Sequence, residues 1–173
     1  MPEGPNQSGY RVETLDKHHN REGFSCGVEP LDRYLREQAG QDARKRVAAP
    51  FVLCEGESNV VLGYYTLSAA TIELKELPAD VARRLPRYPL LPAVLIGRLA
   101  VDREFAGQGW GKVMLVDALR RGLAQSRQIA AMAVVVDAKD DAARGFYERY
   151  GFQQLIEHQN RLFLPMKTIE QLF

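Results

Sequence analysis

Cysteine, histidine and tryptophan are scarce in this chain, and neither sign of charge dominates it. The two cysteines, Cys26 and Cys54, stand far apart and form no C-x-x-C pair. Neither a disulfide framework nor a dithiol redox motif is indicated, and both read as reduced packing or loop thiols. The histidines are His18, His19 and His158; with no H-E-x-x-H and no mixed Cys/His spacing, no metal site is expected. The G-x-S-x-G of serine hydrolases is absent. With 23 basic against 22 acidic residues, any contact with nucleic acid must come from local patches. No apolar run reaches the roughly 18 residues of a membrane span, so no membrane partner is expected. The start, MPEGPNQSGY, has neither the basic nor the apolar segment of an export signal. These absences point to a cytoplasmic chain.

What is present is a length of 173 residues with 46% hydrophobic content, enough for one full core without staples. Residues 1–9 read as a flexible leader and residues 10–173 as a single domain. Tyr10 to Leu15 has the character of a short strand. Pro30 pre-sets φ for a first helical turn, and Leu31, Tyr34, Leu35 and Gln38 recur at helical spacing behind it. Phe51–Glu55 and Val60–Ser68 are β-branched and aromatic, and the turn residues between them predict an antiparallel hairpin. A short helix from Pro78 through Leu85 leads into Pro86, Pro89 and Pro92, which predict an irregular extended loop. Ala93–Val101 reads as a strand buried on both faces. A helix over about 109–125 has Leu115, Ala118, Leu119, Gly122 and Leu123 as its buried stripe. Ala130–Val136 is a second buried strand, and Ala142–Tyr150 a helix ended by Gly151. Two closing strands lie near Phe152–Glu157 and Arg161–Met166, before a short tail helix. The class is α/β with a mixed sheet.

The sharpest local signal is Gly107-Gln108-Gly109-Trp110-Gly111-Lys112, set between a buried strand and an amphipathic helix. Glycines at alternate positions let the backbone approach a ligand and turn its N–H groups inward. The partial positive charge of the helix start adds about 0.3–1 kcal/mol for an exposed anion. This is the pattern of a phosphate cradle. It is not a Walker loop, since Ala106 and Val113 stand where glycine and a hydroxyl are required, and it is not the dinucleotide G-x-G-x-x-G. On the loop alone, a tight turn with packing glycines is the alternative.

Together with Arg98-Leu99-Ala100-Val101-Asp102 and the run Gly145–Phe152 (GFYERYGF), this loop resembles the GNAT acetyltransferases. The resemblance covers about Val60 to Met166. It implies a mixed, mostly antiparallel central sheet, splayed between its two central parallel strands and flanked by helices. It also implies acetyl-CoA as cosubstrate. Leu99, Ala100 and Val101 would line the pantetheine arm, with Val101 presenting its backbone groups. Ala106, Gly107, Gln108, Gly109, Trp110, Gly111 and Lys112 would hold the pyrophosphate. Ala106 replaces the family's Gln or Arg, which removes one side-chain contact from a loop that acts mainly through backbone amides.

Phe24-Ser25-Cys26-Gly27, followed by Leu31-Asp32-Arg33-Tyr34-Leu35, and Leu62–Ser68 (LGYYTLS) resemble the GNAT toxins of bacterial toxin–antitoxin pairs. That resemblance implies acetylation of the α-amine of an aminoacyl-tRNA, a block of translation, a ribbon-helix-helix antitoxin and a homodimer. Two alternatives stay open: a GNAT acting on a small-molecule amine or a protein N-terminus, and a non-catalytic acyl-CoA-binding regulator.

Acetyl transfer from a thioester to an amine needs a neutral amine, stabilised oxyanion charge and a proton for the departing thiolate. Tyr147 matches the family's thiolate-facing tyrosine, with Tyr150 near the same face as a decoy. A phenol near pKa 10 facing a thiol near 8.5 makes full proton transfer uphill by about 2 kcal/mol, so a strong hydrogen bond to the departing sulfur is the expected role. No residue stands out as a general base; Glu73 and Glu76 read as solvated carboxylates. An α-amine with pKa near 7.7–8.0 is partly neutral at physiological pH, which suits an enzyme without a base better than a lysine near 10.4 does. For RNA the candidates are Arg44, Lys45, Arg46, Arg83, Arg84 and Arg87, with Arg33 and Arg36 on the first helix.

Overall fold

The computed structural model describes residues 9–173, so the leader expected over residues 1–9 lies almost wholly outside the described residues. Seven strands form one mixed sheet: β1 (Tyr10–Thr14), β2 (Ala49–Glu55), β3 (Gly63–Glu73), β4 (Leu90–Val101), β5 (Ala133–Asp137), β6 (Gln153–Gln154) and β7 (Arg161–Pro165). Their order is β1-β2-β3-β4-β5-β7-β6. β1–β2, β2–β3, β5–β7 and β6–β7 pair antiparallel, and β4 and β5 pair in parallel. The parallel register runs from Ala93–Ala133 to Ile96–Val136, while β4 itself continues to Val101. The helices are α1 (Glu29–Arg33), α2 (Ala39–Arg44), α3 (Ala79–Ala82), α4 (Trp110–Ser126), α5 (Asp141–Arg149) and α6 (Met166–Glu170). This is the mixed α/β architecture expected from the sequence.

The structure differs from several local expectations, among them the closing strand near Phe152–Glu157, which pairs only over Gln153–Gln154. The strand expected from Val60 begins at Gly63 and runs on to Glu73, because Val60 bridges Asn20 instead. The helix behind Pro30 is interrupted by a π-helical turn over Tyr34–Gln38, where the Ala39 N–H reaches back to the Tyr34 carbonyl. That wide turn moves the buried position from Gln38, which is exposed, to Ala39, which is fully buried. Pro92 is not loop but the third residue of β4: its fixed φ is compatible with an extended strand, and its carbonyl accepts the Met132 N–H at 2.9 Å. Finally, β4 is not buried on both faces. Leu91, Ala93, Ile96 and Ala100 are buried, but Val94, Leu95, Arg98, Leu99 and Val101 are only half-buried.

The chain divides into two compact units. In the first, comprising residues up to Ser68 with Gly97–Ala118, the core joins Phe24, Tyr34, Leu35, Val52, Val61, Tyr64 and Ala100. There a Cβ on Gly63 would lie 2.9 Å from Cε of Met114 and 3.1 Å from the Ala100 carbonyl, so α4 can approach the sheet closely only over glycine. In the second, Ala69–Ile96 with Leu119–Phe173, the core joins Ile72, Leu77, Leu91, Ala133, Val135, Leu155 and Phe163. The stripe predicted for α4 is buried, and Trp110, Val113 and Met114 extend it toward the helix start.

Candidate active site

The glycine loop lies in the first unit. Leu99, Ala100 and Val101 end β4, and Asp102 caps the short 3-10 turn Arg103–Phe105 by accepting the Glu104 N–H at 2.9 Å. Ala106, Gly107, Gln108 and Gly109 are exposed. Gly107 and Gly109 have φ of +76° and +89°, backbone conformations that L side chains rarely adopt. A Cβ on Gly107 would meet nothing within 4 Å, so that position requires glycine for its conformation and not for space. The Gly109 carbonyl accepts the Val113 N–H at 3.2 Å, which starts α4 inside the loop. An α-helix leaves its first N–H groups without intrahelical partners, and here they belong to the loop residues.

Trp110, 8% exposed, packs edge-on against Tyr10, and its buried indole N–H has no acceptor among the described residues. Two left-handed glycines and a helix start in one exposed loop, with the buried orphan donor beneath them, fit an oxygen-rich anion such as a pyrophosphate. Further along α4, Asp117 accepts the Tyr65 hydroxyl at 2.5 Å, which ties the helix to β3.

The N-terminal motif turns out to be scaffolding for this loop. Asp102, buried, accepts the Ser25 N–H at 3.1 Å, while the Arg103 N–H donates to the Ser25 carbonyl at 2.9 Å. Asp32, also buried, accepts the Cys26 N–H at 2.8 Å. Beside it, the Tyr34 hydroxyl donates to Asp42 at 2.8 Å and its ring carries the Arg98 guanidinium, 3.5 Å from the centroid. Such a stack contributes about 0.5–2 kcal/mol depending on desolvation. Burial first, then the bond to Asp42, pushes the Tyr34 phenol up to about 12. The sequence carried both partners, Arg98 in the β4 motif and Tyr34 in the helix, but nothing in their spacing paired them.

Of the basic residues in the first unit, Arg44, Lys45 and Arg46 are exposed at and beyond the end of α2, with Arg46 at φ +58°. Arg33 and Arg36 both face Glu29, at 3.8 and 3.6 Å. Glu13, His18 and His19 bring possible ligand atoms within 4.8 Å of one another, a cluster the sequence spacing did not announce. His19 Nδ1 accepts the Asp16 N–H at 2.9 Å, which leaves the proton on Nε2 to donate to Glu13 at 2.7 Å. The same Glu13 oxygen accepts from Arg11 at 3.0 Å. A proton on the one imidazole nitrogen that faces the carboxylate, beside a guanidinium, makes this a hydrogen-bonded network.

Tyr147 lies in the second unit on α5, whose N-cap Asp140 accepts the Ala143 N–H at 2.8 Å. Its ring is buried against Phe146 and Phe152, and its hydroxyl has no hydrogen bond among the described residues. Burial, reinforced by the Asp137 carboxylate, holds the phenol well above its ordinary pKa, so Tyr147 keeps its proton. Tyr150 is half-buried, with its ring against Phe146. Arg83, Arg84 and Arg87 are exposed around α3 and the turn after it. Glu73 pairs with Lys75 at 3.3 Å and Glu76 with His158 at 3.4 Å, so both carboxylates have structural partners. Among the described residues, no helix is long and apolar enough to cross a membrane.

The profile of the FR47-like protein family matches residues 90–162, the span from β4 to β7. A tRNA-acetylating toxin of Mycobacterium tuberculosis is 34% identical over 149 residues, 86% of this chain and 87% of that protein. The chain belongs to this family of GNAT-fold acetyltransferases. Its fold is similar to AtaT complexed with acetyl-methionyl-tRNAfMet, with TM-score 0.89 and 33% identity over 95% of this chain and 99% of that one. It is likewise similar to an AtaT tyrosine-to-phenylalanine mutant bound to the C-terminus of the antitoxin AtaR and to acetyl-CoA, with TM-score 0.81 and 32% identity over 95% and 97% of the two chains.

Proposed function

We propose that this chain transfers acetyl from acetyl-CoA to the α-amine of an aminoacyl-tRNA and so halts translation until an antitoxin neutralises it. The observation that carries this reading is the full-length likeness to AtaT bound to an acetylated aminoacyl-tRNA. The glycine loop supplies independent support, since its two left-handed glycines and helix start suit a pyrophosphate.

In this reading, acetyl-CoA supplies the acetyl thioester. Leu99, Ala100 and Val101 hold its pantetheine arm and Ala106–Lys112 its pyrophosphate. Tyr147 keeps its proton and offers it as a hydrogen bond to the departing sulfur; its raised pKa holds the donor protonated and makes full proton transfer still more uphill. No base is assigned, in keeping with an amine that is partly neutral near pH 7.5. Arg44, Lys45, Arg46, Arg83, Arg84 and Arg87 grip RNA phosphates. The antitoxin has a ribbon-helix-helix fold, the toxin is a homodimer, and both work in the cytoplasm where charged tRNA is found.

Incubation with total charged tRNA and labelled acetyl-CoA tests the reading and identifies the amino acid that takes the label. Replacing either basic cluster with alanine is expected to weaken charged-tRNA binding, to lower its salt slope by about one per lost contact, and to leave acetyl-CoA affinity intact. Equal rates on charged tRNA for wild type and both cluster variants at near-physiological salt would remove these six residues from the RNA site.

A further inference from the structure

Arg98 is half-buried, lies flat on the Tyr34 ring, and has neither a hydrogen bond nor an ion pair among the described residues. A guanidinium carries five N–H donors in a rigid planar fork, and stacking on an aromatic face leaves its edge free for a partner. The platform beneath it is fixed. Tyr34 is anchored through its hydroxyl to Asp42 and stacks at 6.2 Å on Tyr64, whose own hydroxyl donates to the Leu31 carbonyl at 2.7 Å. Arg98 is thus a cation held in place by its surroundings, with the Asp42 carboxylate close enough to attract it but in no direct ion pair with it.

It opens on a pocket of about 470 Å³, lined also by Glu29, Arg33, Tyr34, Glu37 and Gln38. Three of these, Tyr34, Glu37 and Gln38, belong to the π-helical turn. Such turns are rare and recur at functional sites, where the widened backbone brings side chains to one place that an α-helix would separate. An unpaired guanidinium, a cavity and a π turn are three separate observations in one spot.

The charges around the pocket narrow the ligand. Arg98 calls for a planar or tetrahedral oxyanion, taken in bidentate fashion. Arg33 also lines the pocket but faces Glu29, which it shares with Arg36, so the exposed Glu37 is the carboxylate that disfavours a bare anion and calls for hydrogen-bond donors. A nucleotide offers both, a phosphodiester for Arg98 and ribose hydroxyls or base amino groups for Glu37 and Gln38. We propose that this pocket, with Arg98 seated on Tyr34, is a subsite for a phosphodiester of the acceptor RNA. The inference rests on the aminoacyl-tRNA reading above and adds to it an RNA-positioning residue outside the exposed basic clusters.

The test compares wild type, Arg98→Gln and Arg98→Lys, each shown to be folded by its melting temperature and by acetyl-CoA titration. Acetylation is measured on charged tRNA across a salt series and on an aminoacyl methyl ester, which has no phosphate. Arg98→Gln is expected to raise KM for charged tRNA by tenfold or more and to lower its salt slope by about one. Arg98→Lys, keeping the charge but not the fork, falls between. The loss on charged tRNA exceeds any loss on the ester at least tenfold. A wild-type KM and salt slope in Arg98→Gln overturns the subsite and leaves the tRNA reading standing. Equal losses on both acceptors also overturn it, since Arg98 is then a packing residue. A wild-type enzyme that acetylates no charged tRNA refutes the substrate reading itself and the subsite with it.

Discussion

The carboxylate of Asp102 accepts the backbone N–H of Ser25 at 3.1 Å, joining the residue after β4 to a loop 77 positions earlier in the chain. The Ser25 carbonyl answers by accepting the Arg103 N–H. This exchange holds the chain as it leaves β4 for the glycine loop.

Asp102→Ala removes an acceptor from two backbone N–H groups, those of Ser25 and Glu104, at a buried position. Losing one partner of a buried hydrogen bond costs about 1–3 kcal/mol. Urea denaturation is expected to show a loss in that range, and acetyl-CoA binding is expected to weaken with it, because the loop loses its anchor. Unchanged stability would mean that water replaces the carboxylate at no cost.

Gly109 sits at φ +89°, where a β-branched side chain is strained and intrudes on the surface that the loop offers to a ligand. Gly109→Val is expected to cost about 1–3 kcal/mol of stability, leaving the domain folded. Its acetyl-CoA affinity is expected to fall severely. Calorimetric titration of the folded variant checks this, and unchanged affinity would sink the phosphate-cradle reading.

Tyr147→Phe is expected to cut turnover by about 10²–10⁴-fold with little change in acetyl-CoA affinity. Tyr150→Phe is expected to be nearly silent. Steady-state rates on charged tRNA for the two variants decide between the neighbouring tyrosines, and a Tyr147→Phe enzyme with wild-type turnover rules out the assignment.

The pH profile follows from the same tyrosine. Burial raises the phenol's pKa, so the protonated form persists across neutral and mildly alkaline pH. The rate on charged tRNA is expected to rise as the α-amine deprotonates around pH 7.7–8.0 and then to stay level to about pH 9. A descending limb below pH 9 that vanishes in Tyr147→Phe would contradict a raised pKa.

Features that depend on neighbours along the chain could be read from the residues directly. The stripe of α4 follows from helical periodicity, and the four consecutive buried residues of β5 from an unbroken apolar run. The glycine loop is legible because φ values of +76° and +89° demand glycine whatever surrounds them. Tyr147 could be placed on a helix because acidic residues that cap a helix start stand before it and Gly151 follows it.

Other features follow from contacts between distant segments. The π turn at Tyr34–Gln38 leaves no mark in a pattern that reads equally well at helical spacing, since backbone hydrogen bonds are not encoded residue by residue. Val60 pairs with Asn20 because a long-range bridge outcompetes the local strand preference. The stack of Arg98 on Tyr34 and the bond of Asp102 to Ser25 depend on where β4 and the N-terminal segment come to lie within the fold. Periodicity reports which residues face inward, but side-chain chemistry between distant segments is set only once packing has fixed their relative placement.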